Sequence, residues 1–199
     1  MPKTIDYFFT PVSPFTYLGH ERFVAIARKH GAQIVVKPVD LGRVFAVSGG
    51  LPLKQRAPQR QAYRLFELKR WREHLGLPLN VQPKFFPVPA DASSKWILAA
   101  LEQGTDAALR LSGAIMRAVW VEERNVADAQ TLSAIAHEQG FDAVTLAERA
   151  GSGEVSARYD ALTQEAIDRK VFGSPWYVYQ DEPFWGQDRL DFLDRSLAK

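Results

Sequence analysis

The sequence predicts an α/β protein in which a small β-sheet is interrupted by a long helical insertion. Three observations carry this prediction: a strand–helix–strand pattern over residues 5–39, a run of helical segments over residues 41–170, and two short strands followed by a helix over residues 171–199. The chain has 199 residues, of which 46% are hydrophobic, so it is long enough to bury a substantial core.

The first 40 residues have the pattern of a β-α-β unit. Residues 5–9 are a β-branched and aromatic run, which Pro11 brings to an end. Ser13 and Pro14 are typical of a helix start, and we expect that helix to continue to about His30. Residues 33–39 (Gln-Ile-Val-Val-Lys-Pro-Val) are the second predicted strand. Two strands joined by a helix predict a parallel pair with a right-handed crossover.

The middle of the chain is predicted to be almost entirely helical. Residues 49–52 (Gly-Gly-Leu-Pro) are expected to form a loop, and four prolines between residues 78 and 89 indicate a long irregular connection. Helices are expected over residues 58–74, from Asp91 or Ser93 to 104, and over residues 105–122, 128–140, 142–151 and 155–170.

The end of the chain returns to β character. Residues 176–179 (Trp-Tyr-Val-Tyr) are a predicted strand, residues 180–183 a turn, and a short second strand at 184–185 leads through residues 186–188 into a last helix ending near Leu197. This order of elements is that of a thioredoxin-like fold with an inserted all-helical domain. The predicted division is a discontinuous thioredoxin-like domain at residues 1–40 and 171–199, and a helical insertion domain at residues 41–170.

Composition excludes several classes of function. The chain has no cysteine, which removes disulfides, thiolate metal sites and any thiol nucleophile of its own. The four histidines are not spaced as metal ligands, so we predict no metal site and expect each histidine at the surface or at a helix end. A net charge of +2 disfavours nucleic acid and membranes as partners. No signal peptide or membrane-spanning segment is recognisable, so a cytoplasmic location is expected.

Ser13 is the first candidate for a functional residue. An isolated Ser-Pro at a helix start is usually a plain N-cap, whose hydroxyl accepts a backbone N–H. In a thioredoxin topology, however, this loop is where a Cys-x-x-Cys motif lies, at a helix N-terminus that stabilises a thiolate. In this chain, Ser13 and Thr16 occupy the two ends of that tetrapeptide.

Ser174 and Pro175 form the second candidate element. Alone, a proline before a strand is most simply an edge or strand-entry residue. In thioredoxin folds a cis-proline at this point faces the active loop, and the residue before it offers backbone groups to an extended peptide. We therefore predict a cis Ser174–Pro175 bond close to Ser13.

These segments resemble a known family. Over nearly its whole length, the chain is similar to 2-hydroxychromene-2-carboxylate isomerases and the related kappa-class glutathione transferases. The matching segments are Asp6-Tyr7-Phe8-Phe9, Ser13-Pro14-Phe15-Thr16-Tyr17-Leu18-Gly19, Val171-Phe172-Gly173-Ser174-Pro175-Trp176 and Phe184-Trp185-Gly186-Gln187-Asp188-Arg189-Leu190.

The resemblance implies that glutathione is the cofactor and binds in the thioredoxin peptide site. Ser13 matches the serine that donates a hydrogen bond to the glutathione sulfur, and Phe15 is expected to line the same cleft. Ser174 and Pro175 would form the peptide platform. Gly50 aligns with an asparagine that contacts glutathione in kappa-class relatives, so that contact is expected from the backbone or from nearby Lys54.

Gln187 and Asp188 match the family positions that hold the γ-glutamyl end of glutathione. For Asp188 a second interpretation is open, because an aspartate before a helical segment is also a common N-cap. Both roles are compatible, since a helix N-terminus also binds a ligand carboxylate through its backbone N–H groups.

Substrate-binding residues are predicted less directly. Lys54 and Arg56 are candidates for an anion site, and Arg56 shares one helix face with Arg60 and Arg64, four residues apart. The alternative is a solvated basic face. Phe86 and Trp96 are candidate walls of an aromatic pocket, and the alternative for them is the core of the helical region.

The predicted function is therefore a glutathione-dependent isomerase of aromatic catabolism. It would interconvert 2-hydroxychromene-2-carboxylate, an aromatic keto-acid substrate in its cyclic form, and trans-o-hydroxybenzylidenepyruvate. Two alternatives stay open: a kappa-class-like glutathione transferase or peroxidase, and a non-catalytic peptide-binding protein with a thioredoxin fold. The resemblance also implies a homodimer.

Overall fold

A computed structural model describes residues 2–199, and it contains one four-stranded mixed sheet. The strands are β1 (Thr4–Phe9), β2 (Gln33–Pro38), β3 (Trp176–Tyr179) and β4 (Glu182–Trp185), in the order β2-β1-β3-β4. β1 and β2 are parallel, whereas β3 is antiparallel to both β1 and β4. The predicted α/β class and the predicted β-α-β start are confirmed.

Nine α-helices are present in residues 2–199, and seven of them follow β2 and precede β3. None of the nine is long and apolar enough to cross a membrane. The helices are α1 (Pro14–Lys29), α2 (Leu41–Ser48), α3 (Pro58–Leu75), α4 (Asp91–Leu101), α5 (Thr105–Trp120), α6 (Ala129–Glu138), α7 (Ala143–Ala150), α8 (Gly153–Asp168) and α9 (Leu190–Leu197).

Several helix and strand ends differ from the sequence-based expectation; α4, for example, ends at Leu101 rather than at residue 104, and two of the differences have a clear local cause. α8 begins at Gly153 rather than at Val155, because Ser152 caps it by accepting the Val155 N–H at 3.2 Å. The turn between β3 and β4 is shorter than predicted, and Pro183 belongs to β4. A proline is accepted there because β4 is an edge strand, whose outward N–H groups need no partner in the sheet.

The sheet separates two groups of buried side chains. Ile5, Tyr7 and Phe9 point to one face, where they pack in a core that also contains side chains of α1, α4, α5 and α9. Phe8 points to the other face and packs with residues of β3 and α8. Because one continuous core includes both sheet residues and insertion helices, the two predicted domains share packing; their boundaries at 40/41 and 170/171 stay a prediction.

One histidine departs from the expectation that histidines lie at the surface or at helix ends. His20 is buried inside α1, with its Nδ1 3.2 Å from the Tyr7 hydroxyl and its Nε2 3.0 Å from the Leu109 carbonyl. Burial lowers the pKa of His20, which favours the neutral ring. A neutral ring that donates to Leu109 and accepts from Tyr7 satisfies both nitrogens, so this histidine joins β1, α1 and α5.

Candidate functional site

Ser13 lies at the point where the chain leaves β1 and begins α1. Its backbone is extended (φ −79°, ψ 128°), its Oγ accepts the Thr16 N–H at 3.2 Å, and Pro14 is the first helical residue. The N-cap interpretation is therefore confirmed. No acidic side chain occupies the first turn of this helix, so its positive dipole end is not neutralised locally.

The Ser174–Pro175 peptide bond is cis, as predicted, and it lies against Ser13. The Ser13 hydroxyl donates to the Ser174 carbonyl at 3.2 Å, across 161 residues of sequence. The Ser174 hydroxyl accepts from the Thr10 N–H at 2.9 Å and lies 2.9 Å from the Thr16 hydroxyl. Both serines are 8% exposed, so these bonds hold the two loops together in a largely enclosed setting.

The backbone of Ser174 meets one requirement of a peptide-binding platform. Its carbonyl accepts from Ser13, but within residues 2–199 its N–H donates to no protein acceptor. An unpaired backbone donor beside a cis-proline is able to pair with the carbonyl of an extended peptide. A tripeptide thiol therefore fits this site: the backbone of Ser174 is able to hold its main chain, and Ser13 offers the hydroxyl for its sulfur.

The segment of residues 186–188 is joined to this platform. The Gly186 N–H donates to the Pro175 carbonyl at 2.9 Å. Gln187 is almost fully buried, and its side-chain carbonyl accepts from Arg22 at 2.7 Å. A Cβ at Gly19 would lie only 2.7 Å from the Cβ of Gln187, so a glycine in α1 permits this close approach. Gln187 thus fastens the segment to α1, and its contact with glutathione stays a prediction.

Asp188 is in a different setting from Gln187. Its side chain is 41% exposed, and its carboxylate accepts from Arg189 at 2.8 Å. Asp188 is not the N-cap of the last helix: residues Gln187–Arg189 form a 3₁₀ turn, and Arg189 is the cap residue of α9. The N-cap interpretation is therefore wrong, and the exposed carboxylate, which also pairs with Arg189, is accessible to a ligand ammonium group.

Phe15 and Gly50 make no hydrogen bond to Ser13 within residues 2–199. Phe15 is half-buried and packs against the main core. Gly50 follows α2, and a Cβ there would lie 2.1 Å from the ring of Phe45. A side chain such as asparagine at position 50 would therefore require that ring to move, which leaves only the Gly50 backbone as a donor or acceptor.

The basic candidates lie in the segment between α2 and α3. Lys54 is exposed in a 3₁₀ turn, and Arg56 is half-buried with its Nε donating to the Leu51 carbonyl at 2.8 Å. Burial, and then the charge of Arg60, lower the pKa of Arg56. Within residues 2–199 no hydrogen bond or ion pair joins Lys54 or Arg56 to Ser13.

The two aromatic candidates, Trp96 and Phe86, differ in how deeply they are buried. Trp96 is only 6% exposed and belongs to the main core. Phe86 is half-buried, with its ring 4.7 Å from that of Trp120 and the guanidinium of Arg64 5.2 Å from its centroid. The sequence singled out Arg64 only as one of three arginines on a helix face; the aromatic contact that distinguishes it depends on residues 22 and 56 positions away.

One large cleft of the molecule lies away from Ser13. It has a volume of about 850 Å³ and lies between α1, α5 and α6, with a lining that includes Glu21, Arg28, Arg110, Arg117, Glu122 and Arg124. Ser13, Ser174 and Asp188 do not line it. We assign the functional site by the polar geometry around Ser13, because binding chemistry depends on convergent polar groups more than on empty volume.

Comparison with known proteins confirms the fold and the family. The sequence pattern of the DSBA-like thioredoxin domain matches residues 4–198. A 2-hydroxychromene-2-carboxylate isomerase of Sphingobium xenophagum is 32% identical, with 99% of each chain covered. The kappa 1 glutathione S-transferase of Homo sapiens is 22% identical, covering all of this chain and 92% of that protein.

A solved structure agrees with these relationships. The structure of a 2-hydroxychromene-2-carboxylate isomerase superposes with a TM-score of 0.85 at 28% identity, covering 98% of this chain and 94% of the other. The predicted thioredoxin-like fold with an inserted helical region is thus confirmed. The chain belongs to the DSBA-like thioredoxin domain family and, within it, to the family of the 2-hydroxychromene-2-carboxylate isomerases.

Proposed function

We propose that this protein is a glutathione-dependent isomerase that interconverts 2-hydroxychromene-2-carboxylate and trans-o-hydroxybenzylidenepyruvate. The observation that carries the proposal is the contact of the Ser13 hydroxyl, at the start of α1, with the carbonyl before a cis-proline. Relatives named 2-hydroxychromene-2-carboxylate isomerase support the reaction. The absence of cysteine means that a sulfur nucleophile must be supplied by a bound thiol.

Glutathione, when bound, supplies a thiolate for reversible addition to the conjugated double bond, which permits rotation about that bond. The protein's part is to keep the sulfur anionic. An unperturbed thiol has a pKa of about 8.5. A hydroxyl donor to a charged acceptor contributes about 1.5–3 kcal/mol, which corresponds to a decrease of about one to two pKa units.

Ser13 can make that donation only by redirecting its proton. A hydroxyl has one hydrogen, and in this structure the hydrogen points to the Ser174 carbonyl. The Oγ still accepts from Thr16 after such a rotation. Exchange of a neutral carbonyl for an anionic sulfur is favourable because charge-assisted hydrogen bonds are about twice as strong as neutral ones. The positive end of α1 acts in the same direction.

The other residues around the site hold and orient the cofactor. The unpaired Ser174 N–H is placed for the main chain of the tripeptide. Asp188 has an exposed carboxylate for its α-ammonium group, while Gln187 and Arg22 keep that segment against α1. The half-buried ring of Phe15, two residues after Ser13, packs against the main core, and we expect its free surface to line the same cleft.

Replacing Ser13 with alanine tests the proposal. We expect the pKa of the bound thiol, measured from thiolate absorbance in the ultraviolet, to rise by about one to two units. Turnover at neutral pH should fall by about tenfold or more, with a smaller change in the glutathione dissociation constant. Ser112→Ala is the matched control, because Ser112 is buried and bonds only the Ala108 carbonyl of its own helix. An unchanged pH–rate profile for Ser13→Ala would contradict the proposal.

A second candidate function has one observation in its favour, the relationship to a kappa glutathione S-transferase. The same activated thiolate would then attack other electrophiles and remain bonded to the product. Assays with the chromene carboxylate and with chlorodinitrobenzene distinguish the two functions. Turnover of the second compound alone would favour the transferase.

A further inference from the structure

Three arginines spaced four residues apart end up in three different environments. The expectation that all three share one helix face is wrong for Arg56, which lies before α3 with an extended backbone, whereas Arg60 and Arg64 lie within α3. Arg60 is exposed, and Arg56 is half-buried and bonded to a carbonyl. Arg64 is only 9% exposed. The face that carries Arg64 continues to the fully buried Leu68, and α3 packs there against α1, the helix that begins at Ser13. Arg64 therefore points inward, not to solvent.

The surroundings of the Arg64 guanidinium are aromatic. Its central carbon lies 5.2 Å from the ring centroid of Phe86 and 5.8 Å from that of Trp120. Aromatic faces attract a cation, and the attraction is stronger where water is excluded. Trp120 is completely buried, whereas Phe86 is only half-buried. Phe86 is therefore the ring whose free surface a bound molecule can touch.

Arg64 has no acidic partner among the residues that the structure describes. Within residues 2–199 no carboxylate oxygen lies within the 4 Å of an ion pair, and Nη2 of Arg64 is buried without a hydrogen-bond acceptor. The charged neighbour that affects it is another arginine. Burial, and next the charge of Arg56, lower the pKa of Arg64 to about 10. The guanidinium is therefore still charged at neutral pH.

A charged donor left unpaired in the interior is unfavourable, and proteins rarely retain one without a use. Two features indicate which chemical group would pair with the Arg64 guanidinium. The planar guanidinium presents parallel N–H groups that match a carboxylate. The neighbouring free ring surface of Phe86 matches a flat aromatic or conjugated system. A small planar acid meets both requirements, whereas the flexible glycine end of glutathione meets only the first.

We propose that Arg64 is the receptor for the carboxylate of the aromatic keto-acid substrate, with the Phe86 ring packing against the conjugated part of the same molecule. The inference rests on the proposed function for the identity of the substrate, and it adds a residue that determines specificity. Arg64 would bind the acid group at one end of the substrate from α3, which packs against α1, the helix that begins at Ser13.

Binding of an unreactive analogue tests this inference separately from catalysis. The probe is chromone-2-carboxylate, with chromone as the partner compound that lacks the acid, and binding is measured by calorimetry on the full chain. For Arg64→Met we expect the affinity for the carboxylate to fall about tenfold to a hundredfold, as for a lost charge-assisted pair. Affinity for chromone and for glutathione should change less than twofold.

Two further variants keep the result interpretable. Lys69→Met removes a positive charge from the exposed side of the same helix and should leave every affinity unchanged. Arg64→Lys retains the charge but loses the parallel N–H groups, so we expect an intermediate loss. In steady-state assays Arg64→Met should raise KM more than it lowers kcat.

The possible outcomes separate the two proposals. If the parent protein fails to bind chromone-2-carboxylate, or binds it equally well after Arg64→Met, the inference about Arg64 is wrong. A loss of glutathione affinity instead would assign Arg64 to the cofactor and would also overturn it. Binding of the carboxylate that depends on Arg64, without isomerase activity, would refute the proposed reaction and leave the acid site standing.

Discussion

Two buried cations in this protein have opposite surroundings. Lys37 in β2 is 7% exposed, and its ammonium lies 2.8 Å from Asp6 and 2.5 Å from Glu165. Arg169 contacts Asp6 as well. Arg64 in α3 is buried to a similar degree, yet its neighbours are two aromatic rings and another arginine.

The difference indicates two kinds of role. The Lys37 cluster joins β1, β2 and α8, so its charges are neutralised within the folded chain and fasten the helical insertion to the sheet. Within residues 2–199 no carboxylate pairs with Arg64, so we expect its partner to come from outside the chain. A compensated buried charge is thus expected to matter for stability, and an uncompensated one for binding.

The largest expected effect on stability is that of Lys37→Met. The change leaves two carboxylates close together with only Arg169 to oppose them, so we expect a loss of about 3 kcal/mol in the free energy of unfolding. Urea denaturation measures it. Lys29→Met is the control, because Lys29 also pairs with an aspartate but is 63% exposed, and its loss should be below about 1 kcal/mol. Equal losses of stability in the two variants would mean that the buried Lys37 pair contributes no more than an exposed ion pair.

Arg64→Met is expected to change the free energy of unfolding by less than about 1 kcal/mol. The variant loses cation–π attraction of about 0.5–2 kcal/mol but also removes an unpaired buried donor that costs about 1–3 kcal/mol. The same urea experiment measures the change. A loss as large as that of Lys37→Met would mean that Arg64 is a structural residue, and the comparison would fail.

A partly exposed cluster of Asp194, Lys29 and His30 should have a smaller effect on stability than Lys37, and its contribution depends on pH. Asp194 in α9 accepts hydrogen bonds from Lys29 at 2.9 Å and from His30 at 2.5 Å, and these bonds lower the pKa of Asp194 below its ordinary value. A carboxyl with a lowered folded-state pKa stabilises the protein above its unfolded pKa, and this contribution disappears as the pH falls through the folded value.

The variant Asp194→Asn should therefore be less stable than the parent at neutral pH, and the difference should shrink as the pH falls below the ordinary pKa of an aspartate and Asp194 becomes protonated. Urea midpoints measured across this range give the result. A difference that stays constant with pH would show that the stabilisation comes from packing rather than from charge.

The smallest expected effect on stability is that of Asp188→Ala. Asp188 and its partner Arg189 are both more than 40% exposed, so their pair should contribute less than about 0.5 kcal/mol. Any loss of glutathione affinity, measured by calorimetry, therefore reports on binding directly. Equal glutathione dissociation constants for the variant and the parent would remove Asp188 from the site.

Local sequence patterns predicted the elements well wherever short-range geometry decides them. The β-branched and aromatic run at residues 5–9 placed β1 within one residue, and Ser13 with Pro14 placed the start of α1. These predictions succeed because strand propensity and capping at helix ends depend on residues that are close in sequence. The motifs at Ser13 and Ser174 also predicted the cis bond and the meeting of the two loops.

The two errors have different physical causes. His20 was expected at the surface, but its position was decided by Leu109 and Tyr7, which lie 89 and 13 residues away. Asp188 was open to interpretation as a cap, but a 3₁₀ turn separates it from α9. For His20 the neighbours in space are not the neighbours in sequence, whereas for Asp188 the geometry of a local turn placed the cap one residue later.

For this protein, the sequence by itself determined the α/β order of elements, the loss of cysteine chemistry, the Ser13 and Ser174–Pro175 motifs and the family. Only the tertiary structure decided which of three equally spaced arginines is buried, because burial depends on the aromatic residues that the connection before α4 and the end of α5 bring onto α3. Regular spacing in the sequence gives each of these arginines the same local pattern. Distant segments decide whether a buried charge meets a carboxylate, as Lys37 does, or is left for a ligand, as we propose for Arg64.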